Sequence, residues 1–498
     1  MSRGVKGTGL LTTLCCQQPR PLDTPCVRVY FKLVYRIIHI MVGFNREESE
    51  MNRWQEEYKQ KLVAADDAVK VVKSGDWIDY PLGISSANEL EAALARRKEE
   101  LFDVKFRTNM SMWPRYCVDA DPGGEHFCWN AWHFSARERL EALRGLAYYI
   151  PMKFHELPLM TRNGRTDVFM ASVAPMDKHG WFNFGISAGG AYSSIEKAKY
   201  VLLEVNRNIP RVLGGNQEAV HISNVDYIIE SQNQPLPTLP VAVPTEAEAK
   251  IAFYIMERMR NGCCIQLGIG GIPNAFGSMV AQSDLQDMGI HSEMYVDAFV
   301  EMSEAGKITG ARKNIDKYKQ VFSFAIGSRK LYDFIDDNPG VASYAVDYVN
   351  NPATIAQNDN VVSVNACLEV DLFGQVCAES IGTRQISGTG GQLDFVEGAY
   401  KSRGGQSFIC LESTFTGQDG QVVSRIKPTL TQGAIVTDPR TAVQIIVTEY
   451  GIADLKGKST WERAEALINI AHPQFRDELV QAATDMHIWR RVSRGRGC

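Results

Sequence analysis

The fold of this 498-residue chain is indicated most clearly by residues 262–275, Gly262-Cys263-Cys264-Ile265-Gln266-Leu267-Gly268-Ile269-Gly270-Gly271-Ile272-Pro273-Asn274-Ala275. Its short apolar first half is typical of a buried strand, and the glycines that follow predict a turn. Helical periodicity precedes it in residues 251–261 and follows it in residues 275–282. Strand, glycine turn and helix in this order indicate an α/β fold with parallel sheets.

A looser copy of the same unit lies in residues 69–97, where Leu82-Gly83-Ile84 takes the place of Leu267-Gly268-Ile269. Ordered repetition of this kind predicts two similar open α/β domains in tandem. We place them at residues 51–240 and 245–489, joined near the proline-rich residues 234–240. Since ligands bind where parallel strands end in turns, we expect the active site between the domains.

Both ends of the chain differ from the body in composition. Before Asn45 the one acidic residue is Asp23, and the basic residues are Arg3, Lys6, Arg20, Arg28, Lys32 and Arg36. We interpret residues 1–50 as an N-terminal extension, either a transit peptide or the read-through of a gene that starts at Met51. Residues 490–498 are interpreted as a basic tail.

Composition narrows the class of protein. The chain is 45% hydrophobic and 22% charged, as in an ordinary globular protein. Its 53 Lys and Arg against 58 Asp and Glu leave no basic excess for nucleic acid. Charged residues interrupt the apolar run 29–44, so we predict no membrane partner.

Eleven cysteines without a C-x-x-C spacing favour a reduced compartment. We predict the cytoplasm, or a mitochondrion or related organelle if residues 1–50 are a genuine transit peptide.

The cluster His126, Cys128 and His133 is a candidate metal site. It lacks a second ligand pair, and aromatic residues surround it, namely Phe127, Trp129, Trp132 and Phe134. We therefore predict a packed surface loop here and no metal.

The first glycine turn does not match a dinucleotide-binding fingerprint, since Pro273 stands where the third glycine is needed. Proline is favourable as the first helical residue, and Gly270 and Gly271 would free the preceding backbone to present its N–H groups to an anion. A simple left-handed turn would explain the glycines equally well.

Two further features favour a function for this turn. Glu293 follows it by about twenty residues, and a carboxylate beside backbone N–H donors is a candidate nucleophile for acyl chemistry. A second glycine cluster, residues 387–391, again precedes a helical segment in the same half of the chain.

Six motifs follow one another along the chain, namely GIGGIPNA (268–275), SEMYVDAFVEM (292–302), NACLEVDLFGQV (365–376), SGTGGQLDF (387–395), VTEYGIADLKGKS (447–459) and IAHPQFR (470–476). Together they resemble the acetyl-CoA hydrolase/transferase family of CoA-transferases, most closely its butyryl-CoA and 4-hydroxybutyrate enzymes. The resemblance spans residues 55–489 and implies a class I CoA-transferase-like fold.

The resemblance implies a role for each site residue. Glu293 would form a thioester with coenzyme A, and Asn350 would lie in the oxyanion hole, although Asn351 is an alternative. The implied CoA-binding residues are Gly270, Gly271, Ile272, Pro273, Asn274, Asn365, Gly388 and Gly390.

The implied reaction moves CoA from a short-chain acyl-CoA (butyryl-CoA, 4-hydroxybutyryl-CoA or acetyl-CoA) to a small carboxylate such as acetate. An acyl-CoA hydrolase that uses the same glutamate is the alternative, followed by a non-catalytic CoA-binding protein. Coenzyme A would be a substrate and covalent intermediate, with no permanently bound cofactor. Relatives imply a homodimer or a higher homo-oligomer. We expect an unbranched monocarboxylate as acceptor, because the motifs offer no second cation.

Other polar residues near the motifs are expected to be structural. We predict that His291 has no catalytic role, that Asp297 lies on a solvated or locally paired helix face, and that Asp394 pins its own turn. Glu449 and Lys456 either brace the C-terminal segment or contact CoA.

Overall fold

The computed structural model describes residues 53–417 and 419–490. The chain divides into two compact units, residues 1–56 and residues 57–498. Residues 53–56 of the first unit are helical. The predictions for residues 1–50 and for the tail after Arg490 lie outside the described residues. All elements named below belong to the second unit.

Seven parallel strands form the first sheet. Its first strand in the chain lies in the middle, the next three run to one edge, and the others run to the opposite edge. In spatial order the strands are Ala147–Tyr149, Phe127–Ala131, Val104–Thr108, Trp77–Asp79, Val168–Val173, Tyr200–Val205 and Tyr227–Glu230.

The second sheet repeats this strand order and adds one antiparallel strand at its edge. Its strands are Val341–Ser343, Gln320–Ala325, Gly289–Tyr295, Cys264–Leu267, Val361–Ala366, Gln406–Cys410, Ile445–Thr448 and Gly451–Asp454. The prediction of two similar open α/β domains is therefore confirmed, while the exact domain boundaries stay predictions.

Helices cover the sheets, and small sheets of two or three short strands, mostly antiparallel, connect the larger elements. The described helices are Ala65–Ala68, Asn88–Arg96, Tyr116–Ala120, Ala136–Leu143, Leu157–Asn163, Ala191–Ile195, Glu246–Met256, Gly271–Gln282, Asp297–Glu304, Arg329–Ile335, Val346–Val349, Pro352–Ile355, Gln392–Lys401, Thr460–Asn469 and Arg476–Asp485. The ribbon strands are Trp181–Asn183, Ala219–His221, Glu369–Asp371, Val376–Cys377, Ser380–Ile381, Arg384–Gln385, Thr414–Thr416, Val422–Ser424 and Ile426–Lys427. None of these helices is long and apolar enough to cross a membrane.

One apolar cluster joins the two halves. Ile186 and Ile209 of the first half belong to the same buried cluster as Phe276 and Tyr295 of the second. Burying a side chain of this size contributes about 1.5 to 3 kcal/mol. The junction between the halves is thus part of the hydrophobic core, and it fixes the loops of one sheet relative to those of the other.

The prediction of a packed surface loop at residues 126–133 is wrong. Phe127–Ala131 is a strand of the first sheet, with Phe127, Trp129 and Ala131 buried and the residues between them less so. These residues form a strand because every second one is apolar, and in a strand every second side chain faces the core. His126 lies just before this strand, and its Nδ1 is 2.8 Å from the carbonyl oxygen of Leu101.

Candidate active site

A cavity of about 340 Å³ lies between the two halves. The first half lines it with Asn109, Met110, Trp132, His133, Met152 and Phe154. The second half contributes both glycine turns, Glu293 and the ends of neighbouring strands. The site therefore needs loops from both sheets.

Parallel strands bring Glu293 and the first glycine turn to the same edge of the second sheet. The strand Cys264–Leu267 pairs in parallel with Gly289–Tyr295, which carries Glu293. Gly268 follows the first of these strands directly. Because parallel strands end at the same edge, the turn and the carboxylate meet at the cavity.

Two donors hold the carboxylate of Glu293. The Nδ2 of Asn350 donates to its Oε2 at 2.5 Å, and the backbone N–H of Gly391 donates a second hydrogen bond. Burial and, to a lesser degree, the nearby Asp394 raise the pKa of Glu293, both donors lower it, and the net pKa is about 7. When ionised, this carboxylate has little water to shield it, which favours its action as a nucleophile.

Gly391 has no room for a side chain. A Cβ atom at this position would lie 1.8 Å from Oε2 of Glu293 and 2.1 Å from Nδ2 of Asn350. Backbone and carboxylate therefore approach each other only because residue 391 is glycine. Sequence reasoning selected Gly388 and Gly390 from this turn but not Gly391.

The structure distinguishes the two neighbouring asparagines. Asn350 is buried and contacts Glu293. Asn351 instead begins the helix Pro352–Ile355, where its Oδ1 accepts from the N–H of Ala353 at 2.9 Å. The residue beside the carboxylate is thus Asn350.

The helix after the first glycine turn begins at Gly271, so the prediction that Pro273 is its first residue is wrong. Gly270 precedes the helix with a φ of +125°, which glycine adopts readily. Pro273 is tolerated as the third helical residue because the first four N–H groups of a helix have no partner within it. Residues 268–273 line the cavity.

The side chain of Asn274 points elsewhere. Its Nδ2 donates to the carbonyl oxygen of Ala242 at 2.9 Å, and the residue does not line the cavity between the halves.

Glu248 does line the cavity, although sequence reasoning missed it. Its carboxylate lies against Gly271, 2.0 Å from the position a Cβ would take. The sequence does show that Thr245 and Glu248 have the spacing of a capping box, but this pattern indicates only where a helix starts and not that Glu248 lines a cavity.

The remaining predicted CoA-binding residues also line the cavity. Asn365 exchanges two hydrogen bonds of 3.2 Å with Gln266. Gly388 lies against the first half, since its Cβ would stand 2.4 Å from the carbonyl oxygen of Trp132. Gly390 has a φ of +54° and lies near Glu293.

The charge of the cavity is set by carboxylates. Burial lowers the pKa of His133 to about 4, so its imidazole is neutral at pH 7. No lysine or arginine of the described residues lines the cavity, whereas Glu248 and Glu293 do. The described residues also contain no group of three or more His, Cys, Asp or Glu placed to hold a metal.

His291 is buried beneath the site. Its Nε2 lies 2.8 Å from the carbonyl oxygen of Val349, and burial lowers its pKa to about 3. Asp297 accepts from the N–H of Ser328 at 3.0 Å, so its partner lies in a distant turn and not on its own helix face. The hydrogen bonds of Asp394 run to His155, 239 residues away, so this residue links its turn to the first half.

Glu449 and Lys456 brace the C-terminal segment. Glu449 accepts from the N–H of Ser413 at 2.9 Å, and the Nζ of Lys456 donates to the carbonyl oxygen of Ala442 at 3.3 Å. Neither side chain lines the cavity between the halves.

Comparison with known proteins agrees with the fold described above. Residues 45–240 match the family model of the acetyl-CoA hydrolase/transferase N-terminal domain, and residues 327–483 match that of the C-terminal domain. A probable butyrate:acetyl-CoA coenzyme A-transferase of Syntrophomonas wolfei is 60% identical over 88% of this chain and 98% of its own length. The butyryl-CoA:acetate CoA-transferase of Anaerostipes caccae is 52% identical over 89% of this chain and its whole length. The crystal structure of a 4-hydroxybutyrate CoA-transferase from Porphyromonas gingivalis superposes with a TM-score of 0.70 at 32% identity, covering 87% of this chain and 100% of that one.

Proposed function

The chain belongs to the acetyl-CoA hydrolase/transferase family and is a CoA-transferase, and we propose that it carries CoA as a thioester on Glu293. The donor is a short-chain acyl-CoA such as butyryl-CoA, 4-hydroxybutyryl-CoA or acetyl-CoA, and the acceptor is a small carboxylate such as acetate. The observation that carries this proposal is the Glu293 carboxylate, held by Asn350 and Gly391 in the cavity between the halves.

The first half-reaction loads CoA onto the enzyme. A carboxylate oxygen of Glu293 attacks the thioester carbonyl, the C–S bond breaks, and a mixed anhydride and the CoA thiolate form. The thiolate then attacks the glutamyl carbonyl of the anhydride. The bond between the glutamyl carbonyl carbon and the bridging oxygen breaks, and the donor leaves as a carboxylate. CoA remains on Glu293 as a thioester.

The second half-reaction runs these steps in reverse with the acceptor. The acceptor carboxylate attacks the glutamyl thioester, and the released thiolate attacks the acceptor side of the new anhydride. Glu293 is restored as a carboxylate. A thioester is present before and after the reaction, so no ATP is required, and no step needs a general base.

Each step passes through a tetrahedral oxyanion. Asn350 and the backbone N–H of Gly391 donate hydrogen bonds to the Glu293 carboxylate. Loss of one donor from such a site typically costs about 2.7 to 4 kcal/mol of transition-state stabilisation. We therefore assign Asn350 to the oxyanion site.

Glycine turns and a helix N-terminus support the binding of CoA. Gly270, Gly271, Ile272 and Pro273 line the cavity where the helix Gly271–Gln282 begins. Unpaired N–H groups at a helix start favour anionic groups. Asn365, Gly388 and Gly390 complete the proposed contact surface. The side chain of Asn274 already bonds to Ala242, so only its backbone is suited to this role.

Apolar side chains in the cavity favour an apolar acyl chain. The cavity is lined by Met110, Trp132, Met152, Phe154 and Phe324. A dicarboxylate would bring a second charge into a cavity that no lysine or arginine of the described residues lines, and burying an unpaired charge is strongly unfavourable. This supports short unbranched monocarboxylates as substrates.

Kinetics of the purified enzyme test the transferase proposal. With butyryl-CoA and acetate we expect ping-pong behaviour, seen as parallel double-reciprocal lines, because the CoA-enzyme is a true intermediate. Release of free thiol without acetate should be far slower than transfer. Thiol release as fast as transfer would assign the chain as a hydrolase, and succinate as the best acceptor would contradict the monocarboxylate proposal.

We propose, in addition, a homodimer or higher homo-oligomer in the cytoplasm, or in a mitochondrion or related organelle if residues 1–50 act as a transit peptide. The seven described cysteines are all free, which supports a reduced compartment. Light scattering of the purified chain and cell fractionation test these two points.

A further inference from the structure

A polar contact joins the two halves directly behind the second glycine turn. Asp394 lies in the first turn of the helix Gln392–Lys401 and is 0% exposed. Its Oδ1 is 2.7 Å from the Nδ1 of His155, and its Oδ2 accepts from the N–H of His155 at 3.2 Å. The N–H of Phe154 donates to the carbonyl oxygen of Gly390 at 3.0 Å. Two adjacent residues of the first half thus hold both the turn and the start of its helix.

The turn held in this way presents its next residue to the nucleophile. Gly391 follows Gly390 and donates its N–H to Glu293. There is no free space between Gly391 and the Glu293 carboxylate, since a Cβ on Gly391 would lie 1.8 Å from this carboxylate. A shift of the turn would therefore change the direction of this hydrogen bond, and hydrogen bonds weaken steeply when they are misaligned.

The contact also places charges near the nucleophile. The negative charge of Asp394 raises the pKa of Glu293. Burial raises the pKa of Asp394 itself, whereas His155 lowers it. The hydrogen bond to Asp394 raises the pKa of His155, which favours the imidazolium form beside the carboxylate. Protonated His155 thus offsets part of the charge that Asp394 imposes on Glu293.

Several other charged groups around His155 form ion pairs of their own. Glu397 lies 3.8 Å from Lys153, and Asp347 lies 3.6 Å from Arg162. Lys153 lowers and Glu156 raises the pKa of His155, each less than Asp394 does. The charged groups on this turn and on the elements packed against it are Lys153, Glu156, Arg162, Asp347, Asp394 and Glu397. Asp394 forms the direct contact with the imidazole.

We propose that His155 is a positioning residue for the transfer reaction, which holds Asp394 and the Gly390-Gly391 turn against Glu293 and balances the negative charge of Asp394 beside the nucleophile. It touches no reacting atom. The inference rests on the proposed function, because it takes Glu293 as the group whose ionisation limits the rate at low pH.

Two charge-removing variants with opposite expectations test this role. His155→Asn keeps a neutral polar group near the position of Nδ1 and removes the positive charge. The acid limb of log kcat/KM against pH should then move to higher pH by about 0.5 to 1. Asp394→Asn removes the negative charge and should move the same limb to lower pH. The double variant should lie between them.

The size of the effect follows from the ionised fraction of Glu293. At pH 6, His155→Asn should transfer CoA roughly three- to tenfold more slowly than the wild type, with a smaller difference at pH 8.5. His126→Asn, at a histidine outside the site, is the matched control and should keep the wild-type profile. Thermal unfolding of every variant, measured across the same pH range, separates charge effects from loss of fold.

The outcomes separate this inference from the proposed function. If wild-type enzyme forms the CoA adduct on Glu293 but His155→Asn leaves the acid limb in place, or both single variants move it in one direction, the positioning role is refuted. If His155→Asn does not fold, a downward shift in Asp394→Asn is still required. If no adduct forms on Glu293, the proposed function itself fails.

Discussion

Glu293 is held in a state that is unfavourable for folding and that would favour the proposed reaction. Its pKa of about 7 lies above the ordinary value of 4.5, mainly because of burial. The folded protein therefore binds this proton more tightly than the unfolded chain does. The stabilisation is fully present below pH 4.5 and is lost as the pH rises through 7. At working pH the ionised carboxylate destabilises the fold that positions it.

Glu293→Gln should therefore stabilise the protein at high pH while it abolishes transfer. The amide is neutral and can still accept from Asn350 and Gly391, so we expect a gain of about 2 to 3 kcal/mol at pH 8.5 and little gain at pH 4.5. Chemical denaturation at the two pH values measures the difference. Glu257→Gln, at an exposed position, is the control and should change neither value. Equal stability of Glu293→Gln and wild type at pH 8.5 would show that Glu293 is well solvated.

Gly391→Ala tests the close approach of backbone and carboxylate. The added methyl group would overlap both Glu293 and Asn350, so one of them must move. We expect kcat to fall roughly 100-fold, since displacement of a reacting group by about 1 Å has effects of that size. Steady-state kinetics with butyryl-CoA and acetate measure this. Gly123→Ala is the matched control, because its Cβ would have no neighbour closer than 3.7 Å. Full activity of Gly391→Ala would contradict the geometry described for the site.

The sequence selected Glu293 and Asn350 as candidates, but it left Asn351 open as the alternative and missed Gly391. Asn350 and Asn351 are adjacent and chemically identical, so only the backbone path shows which of them meets the carboxylate. Gly391 was overlooked because glycine turns contain several glycines, and the one that approaches another group is decided by tertiary contacts.

Helix packing sets the position of the first glycine turn. Gly277, in the middle of the helix Gly271–Gln282, faces Ala298 on the helix Asp297–Glu304. A Cβ at Gly277 would lie 2.6 Å from the Cβ of Ala298. The two helices approach closely because both residues are small. This contact positions the glycine turn, which lies at the start of the first helix, at the cavity.

Gly277→Leu should separate these helices. We expect a loss of stability of about 1 to 3 kcal/mol, as for other overpacked cores. CoA binding should weaken as well, because the glycine turn moves with its helix. Denaturant unfolding and calorimetric titration with CoA measure the two effects. Ser278→Ala, on the same helix but not buried, is the control. Unchanged CoA affinity in a destabilised Gly277→Leu protein would mean that the helix does not position the turn.

At the level of elements, the prediction of alternating strands and helices was correct where the apolar pattern was regular. It failed at Phe127–Ala131, where aromatic residues alternate with polar ones but nearby His and Cys residues drew attention to metal chemistry. It also placed the start of the helix at Pro273, two residues late, because glycine is a weak helix former and gave no signal that the helix begins at Gly271.

The two halves share one apolar cluster and one cavity, and each also has a buried cluster of its own. The buried cluster that contains Ile186 and Ile209 also contains Phe276 and Tyr295. Its first-half members lie in helices and loops beside the first sheet, so part of the apolar surface of each half is buried against the other half. The contact of His155 with Asp394 crosses the same junction. Sequence repeats indicated two similar domains, but a contact between residues 239 positions apart leaves no local pattern to read.

Because of this shared core, residues 57–244 should not fold stably when expressed alone. We expect strong binding of a hydrophobic dye and no cooperative thermal transition, since exposed apolar surface of this size is unfavourable in water. Residues 57–490 are the control and should unfold in a single transition. Cooperative unfolding of the isolated half would show that the junction is not needed for its stability.

Mass mapping of the CoA adduct tests the central claim most directly. The enzyme is incubated with butyryl-CoA in the absence of acceptor, treated with borohydride to reduce the glutamyl thioester, digested and analysed by peptide mass spectrometry. We predict that Glu293 alone is converted, that acetate added before borohydride prevents the conversion, and that Glu293→Gln is unmodified. A label on any other residue, or full transfer activity in Glu293→Gln, would contradict the account.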